Sequence, residues 1–86
     1  MIKVKCVGHI RTSIGRETVE IEGDGLRTTE LIERLREIGR SDPNIGFTKY
    51  NTLVIVNGSS AFTGSADDRV LHDGDEVLLL PFSHGG

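Results

Sequence analysis

Leu53-Val54-Ile55-Val56-Asn57-Gly58 is the stretch on which the fold turns. Its four consecutive apolar residues are rich in β-branched side chains, which suits a strand buried at the centre of a sheet. Asn57-Gly58 is the strongest short hairpin signal, because a type I′ turn needs φ > 0 at both central residues. A brief strand near Ser60-Ala61-Phe62 is expected to pair back. Residues 63–70 then read as loop, with room for one short helical turn.

Toward the C-terminus, His72-Asp73-Gly74-Asp75 marks a second tight turn, and Glu76-Val77-Leu78-Leu79-Leu80 reads as the final strand. Pro81 ends it, because proline has no N–H to give to a ladder. Phe82-Ser83-His84-Gly85-Gly86 runs off the end. Residues 1–81 are thus expected to form one domain and residues 82–86 a flexible tail.

Toward the N-terminus, Ile2-Lys3-Val4-Lys5-Cys6-Val7 and Glu17-Thr18-Val19-Glu20-Ile21-Glu22 both alternate apolar and polar, the period of a strand with one wet face. Gly8 and Gly15 bracket what reads as a polar loop, making the pair a hairpin with a long connection. From Thr28 the period changes. Leu31, Ile32, Leu35 and Ile38 form the stripe of an amphipathic helix. Thr28 is the expected N-cap, Glu30 favours the positive end of the helix dipole and pairs with Arg34, and Gly39 is expected to end the helix in a left-handed conformation. Residues 41–52 form an irregular connection around Asp42-Pro43 and Gly46. The order is β-β-α-β-β-β, an α+β domain with one main helix on one face of a mixed four- to five-stranded sheet.

Composition narrows function. A chain of 86 residues makes one domain with a modest core, burying about 60–65% of its unfolded surface. The net charge of −3, with ten basic residues scattered, leaves no electrostatic footprint for nucleic acid. Met1 leads straight into a strand and no apolar run is long enough to span a bilayer, so the cytoplasm is the expected compartment and no membrane partner is implied. Cys6 is the only cysteine. It excludes an internal disulfide and a four-cysteine metal site, and its inward position reads as a small buried hydrophobe.

Candidates for internal catalytic chemistry are thin. His9, His72 and His84 fall at separate turns or ends, without the paired spacing of metal ligands. Asp67-Asp68 and Asp73/Asp75 sit where turns favour aspartate. Neither catalytic nor metal-binding residues are therefore assigned. The tail differs. Gly85 and Gly86 close the chain, which would leave Gly86 a free carboxylate, and two residues without Cβ can thread a narrow channel. A carboxylate is a poor electrophile, so it needs activation, usually as an acyl-adenylate. A sulfur donor attacking that adenylate leaves a thiocarboxylate; a thiol and then a lysine amine leave an isopeptide bond.

Three segments carry a resemblance: Val54-Ile55-Val56-Asn57-Gly58, Leu71-His72-Asp73-Gly74-Asp75-Glu76-Val77, and Leu79-Leu80-Pro81-Phe82-Ser83-His84-Gly85-Gly86. Together they resemble the MoaD/ThiS branch of the ubiquitin-like β-grasp family, with which the element order also agrees. The resemblance implies that Gly86 is adenylated by a MoeB/ThiF-like, ubiquitin-activating-type enzyme and converted to a thiocarboxylate. ATP would be used by that partner, with no cofactor bound by the chain itself. It implies a sulfur carrier, as in molybdenum cofactor biosynthesis beside a MoaE-like synthase subunit. Related small archaeal modifier proteins instead attach to lysines of target proteins, and a non-covalent interaction module is the third reading.

For this chain the resemblance makes Gly86 the acyl carrier and Gly85 its channel-threading neighbour, with His84, Phe82 and Pro81 in the recognised tail. Phe82 stands where MoaD-like tails often carry a second proline, and His84 adds bulk. Phe82 and Phe62 are candidates for an apolar partner surface. Phe47, in the long connection, reads as either a second contact or a lid on the core.

Overall fold

The computed structural model describes residues 1–42, 45–59, 62–63 and 68–82. Nine elements follow one another among them: β1 (Ile2–Cys6), α1 (Gly8–Ile14), β2 (Thr18–Ile21), β3 (Leu26–Arg27), α2 (Thr28–Ile38), β4 (Thr52–Val56), β5 (Phe62–Thr63), β6 (Val70–Leu71) and β7 (Glu76–Pro81). The main sheet has five strands in the order β2-β1-β7-β4-β5. Its central strand, β7, runs parallel to β1 and antiparallel to β4.

The alternating strands behave as their period dictates. Ile2, Val4 and Cys6 of β1 are fully buried while Lys3 and Lys5 face solvent. Val19 and Ile21 of β2 repeat the pattern in register with Val4 and Ile2. Leu31, Ile32 and Leu35 of α2 close the core with no exposed surface, each burial stabilising the fold by about 1.5–3 kcal/mol. Ile38, which the helical stripe includes, is exposed. At the hairpin, Asn57 and Gly58 both take positive φ, 51° and 74°, the combination that the type I′ turn requires.

Five details depart from the sequence reading. The segment that begins at Gly8 is a seven-residue helix, α1, rather than a loop, and its Ile10 and Ile14 enter the core one turn apart. A separate two-stranded ladder joins β3 to β6. The N-cap of α2 is Arg27, whose amide donates to Glu30 Oε1 at 3.2 Å, and Thr28 is the first helical residue. Arg34 reaches the carbonyl of Glu22 at 3.4 Å.

Gly39 is the fifth, and its reason is steric. Its φ is −87°, open to any residue, yet a Cβ there would lie 3.0 Å from the Ser13 carbonyl oxygen and 3.2 Å from Ile45 Cδ1. The glycine lets the ends of the two helices approach, and Ser13 Oγ donates to Asp42 Oδ2 across the same gap at 2.8 Å.

Candidate functional site

The site begins with the strand that carries the chain toward its C-terminus. β7 lies between β1 and β4, so its direction is fixed from both sides. Two turns lock its start. Asp75 Oδ2 accepts from the His72 amide at 2.8 Å, closing the 72–75 turn around Gly74, whose φ is 92°. Asn57 Nδ2 donates to Asp75 Oδ1 at 3.0 Å, and Asn57 Oδ1 accepts from the Glu76 amide at 2.8 Å. These bonds tie the β4 hairpin to the start of β7, so Asn57 and Asp75 set the register of β7 against β4. Asp75 is held below the ordinary carboxylate pKa by the His72 amide and the Asn57 amide group.

At the far end Thr52 stands opposite Pro81, and the Phe82 amide donates to the Asn51 carbonyl at 2.7 Å, one rung further. At the start of the ladder the Asn57 amide donates to Glu76 O at 2.7 Å. In an antiparallel pair hydrogen-bonded and non-bonded rungs alternate. Counting between these bonds puts the Thr52–Pro81 pair on a non-bonded rung, where the missing proline N–H costs the β4 ladder nothing. On the other side Pro81 packs against Gly8: a Cβ on Gly8 would lie 2.8 Å from Pro81 Cγ.

Pro81 and Phe82 are thus placed at the end of the central strand, and both are half-buried. His84, Gly85 and Gly86 lie outside the described residues, as does the side chain of Phe62, whose backbone pairs with Val54. Phe47 is fully buried. Of its two sequence readings the lid is the one that holds, and it presents no surface to a partner. Tyr50 is exposed, with Lys49 Nζ 5.4 Å from its ring centroid.

Asn51 is a site residue that the sequence reading did not single out. Its Oδ1 accepts from the Thr48 amide at 2.7 Å and its Nδ2 donates to the Gly46 carbonyl at 2.8 Å. The side chain therefore closes the 46–51 turn while the carbonyl holds Phe82. The available signal was an asparagine beside a strand start, a residue that favours turns by bonding to nearby backbone.

Asp68 Oδ1 accepts from the Thr29 amide at 3.1 Å and the Thr29 hydroxyl at 2.9 Å, capping α2 from a distant segment. Those bonds, led by the Thr29 amide, lower its pKa. The Cys6 thiol is pushed up to about 11 by burial, which makes it a poor nucleophile. Among the described residues no group of His, Cys, Asp or Glu could hold a metal ion. No described helix is long and apolar enough to cross a membrane.

A family model described as the ThiS family matches residues 4–86. Among solved structures, a Pyrococcus furiosus protein described as molybdopterin converting factor, subunit 1, is 27% identical with a TM-score of 0.70, covering 95% of this chain and 97% of that one. The small archaeal modifier protein SAMP1 of Haloferax volcanii is 22% identical with a TM-score of 0.67, over 99% of this chain and 98% of its own. A structure of the Amycolatopsis orientalis BexX/CysO complex matches at 21% identity and a TM-score of 0.62, over 100% of both chains. The last two likenesses concern the fold. No curated protein matches the chain.

Proposed function

The chain belongs to the ThiS family, and from that premise we propose that it is a sulfur carrier adenylated at Gly86 and converted there to a thiocarboxylate. The observation that carries this reading is the extent of the family match, which runs through the terminal Gly85-Gly86. The geometry before it is in keeping: the central strand ends at Pro81, which packs against Gly8, and Phe82 bonds to the Asn51 carbonyl.

The chemistry follows from the carboxylate. An oxygen of Gly86 attacks the α-phosphorus of ATP, a P–O bond forms, and pyrophosphate leaves. Hydrosulfide then attacks the activated acyl carbon; a C–S bond forms, the C–O bond to phosphorus breaks, and AMP departs with that electron pair. A ubiquitin-activating-type adenylyltransferase supplies the nucleotide site and metal. The chain is its substrate rather than an enzyme, and the cytoplasm, which holds ATP, is where the reaction takes place. Likeness to the molybdopterin converting factor subunit makes a MoaE-like synthase subunit, in molybdopterin synthesis, the first acceptor to test.

The likeness to SAMP1 supports a second acceptor, a lysine amine on a target protein, reached through the same adenylate. ATP–pyrophosphate exchange by the activating enzyme from the same cell tests the shared step. The intact chain should support exchange and a chain lacking Gly86 should not. Equal exchange with both would remove the terminal carboxylate from the reaction and leave a non-covalent interaction module.

A further inference from the structure

We propose that the free edge of β2 is a docking site for an extended basic segment of a partner protein, which joins the sheet as an antiparallel strand. The proposal does not depend on activation at the C-terminus. β2 lies at one end of the sheet order, with β1 its only strand partner among the described residues. The Cys6 amide donates to the Glu17 carbonyl at 2.7 Å, which makes Cys6–Glu17 a bonded rung. Bonded and non-bonded rungs alternate. Val19 and Ile21 therefore bond to β1, while the amides and carbonyls of Thr18 and Glu20 point away from it. Both of these residues are exposed. Such an unpaired row is a template for a further strand, whose main-chain bonds give affinity and whose alternate side chains give selectivity.

Two features decide which strand fits. A groove lies between β2 and the second half of α2, with Ile21 and Ile38 in its lining, and Ile38 is 44% exposed. Every second side chain of an added strand would project over that groove, where an aliphatic one covers Ile38. The others would lie on the opposite face of the sheet, beside Thr18 and Glu20.

The charge along this edge is negative and unanswered. Lys5 is engaged by Glu17 at 3.9 Å, Arg40 by Glu37 at 2.9 Å, and Arg34 by the Glu22 carbonyl at 3.4 Å. Lys3 stands across the ladder from Glu20 with no ion pair between them. The N-terminal ammonium, which both Glu20 and Glu22 influence, is paired with Asp73. The carboxylates of Glu20 and Glu22 thus lack an ion-pair partner among the described residues. Lysine or arginine at alternate positions of the added strand supplies one, since opposite charges across a ladder are stabilising. A second copy of the chain meeting the same edge brings its own Glu20 and Glu22 near these, and like charges there are destabilising. The glutamates turn away a copy of the edge and admit a basic strand.

The probe is a blocked heptapeptide alternating lysine with valine, titrated into the intact chain while amide hydrogen exchange is followed residue by residue. With the peptide at ten times its dissociation constant, exchange at Thr18 and Glu20 should slow about tenfold. Glu20→Lys combined with Glu22→Lys should weaken binding about tenfold, with thermal melting to show that the variant is folded. Methylated peptides test the same geometry without altering the protein. In the antiparallel arrangement the lysines lie opposite Thr18 and Glu20, and their N–H groups bond to β2. N-methylation of the lysines should therefore abolish protection, and N-methylation of the valines should leave it intact.

No binding at any soluble peptide concentration, or binding that leaves exchange at Thr18 and Glu20 unchanged, overturns the proposal. Equal binding to the charge-reversed variant, or equal loss from the two methylated peptides, does the same. Protection of these amides that grows with protein concentration in the absence of peptide overturns it in favour of self-pairing.

Discussion

Gly8 and Pro81 touch so closely that a Cβ placed on Gly8 would lie 2.8 Å from Pro81 Cγ. Gly8 also holds φ at 62°, a region that L-residues other than glycine enter at a cost. Both constraints act at the junction of α1 with the end of the central strand. Gly8→Ala should therefore destabilise the fold by about 2–4 kcal/mol, combining the left-handed penalty with overpacking. Equilibrium urea unfolding measures this directly, and a loss below about 0.5 kcal/mol would show that the contact relaxes freely.

Phe47 is fully buried although it sits in an irregular connection. Phe47→Ala should cost about 3–5 kcal/mol. The neighbouring exposed Tyr50 provides the contrast, and Tyr50→Ala should change stability by less than about 0.5 kcal/mol. Comparable losses from the two substitutions would mean that the connection is not anchored through Phe47.

Stability should fall in acid through two carboxylates. The Thr29 amide lowers the pKa of Asp68, and the His72 amide lowers that of Asp75. A carboxylate whose pKa is depressed by folding contributes stability that is complete above its unfolded value and lost as pH falls through its folded value. The unfolding midpoint should therefore hold steady at neutral pH and decline below about pH 4. Asp68→Asn and Asp75→Asn together should flatten that decline. An unchanged acid slope in the double variant would place its origin elsewhere.

Cys6 should resist alkylation. Its side chain is fully buried and its thiol is raised to about 11, so thiolate is scarce and inaccessible at pH 8. Iodoacetamide should label the native protein only as fast as the protein opens, and the denatured protein at once. Rapid labelling without denaturant would contradict the buried position.

Long periodic segments were legible in the sequence because many residues repeat one constraint. The alternation in β1 and β2, the buried stripe at Leu31, Ile32 and Leu35, and the Asn57-Gly58 turn all stand where their patterns placed them. Short elements were not. The helix α1 rests on Ile10 and Ile14 alone, too few turns for a clear period, although their i,i+4 spacing was the available signal. The β3–β6 ladder pairs residues 26–27 with 70–71, and strands of two residues have no periodicity to read.

Capping of α2 by Asp68 and crowding at Gly39 depend on segments far away in sequence. Local preference for Thr28 as a cap was overridden by that distant carboxylate. The site divides in the same way. The terminal diglycine is visible in one dimension, whereas the grip of Gly8 and Asn51 on Pro81 and Phe82 exists only after β1, β4 and β7 have paired.

The central claim is that Gly86 is the reacting group, and the intact mass of the chain tests it most directly. The protein is incubated with ATP, hydrosulfide and the activating enzyme from the same cell, beside a chain lacking Gly86. The intact chain should gain the mass of one oxygen replaced by sulfur, in a reaction dependent on ATP, and the shortened chain should not. An unchanged mass with a demonstrably active enzyme, or the same gain without Gly86, would contradict it.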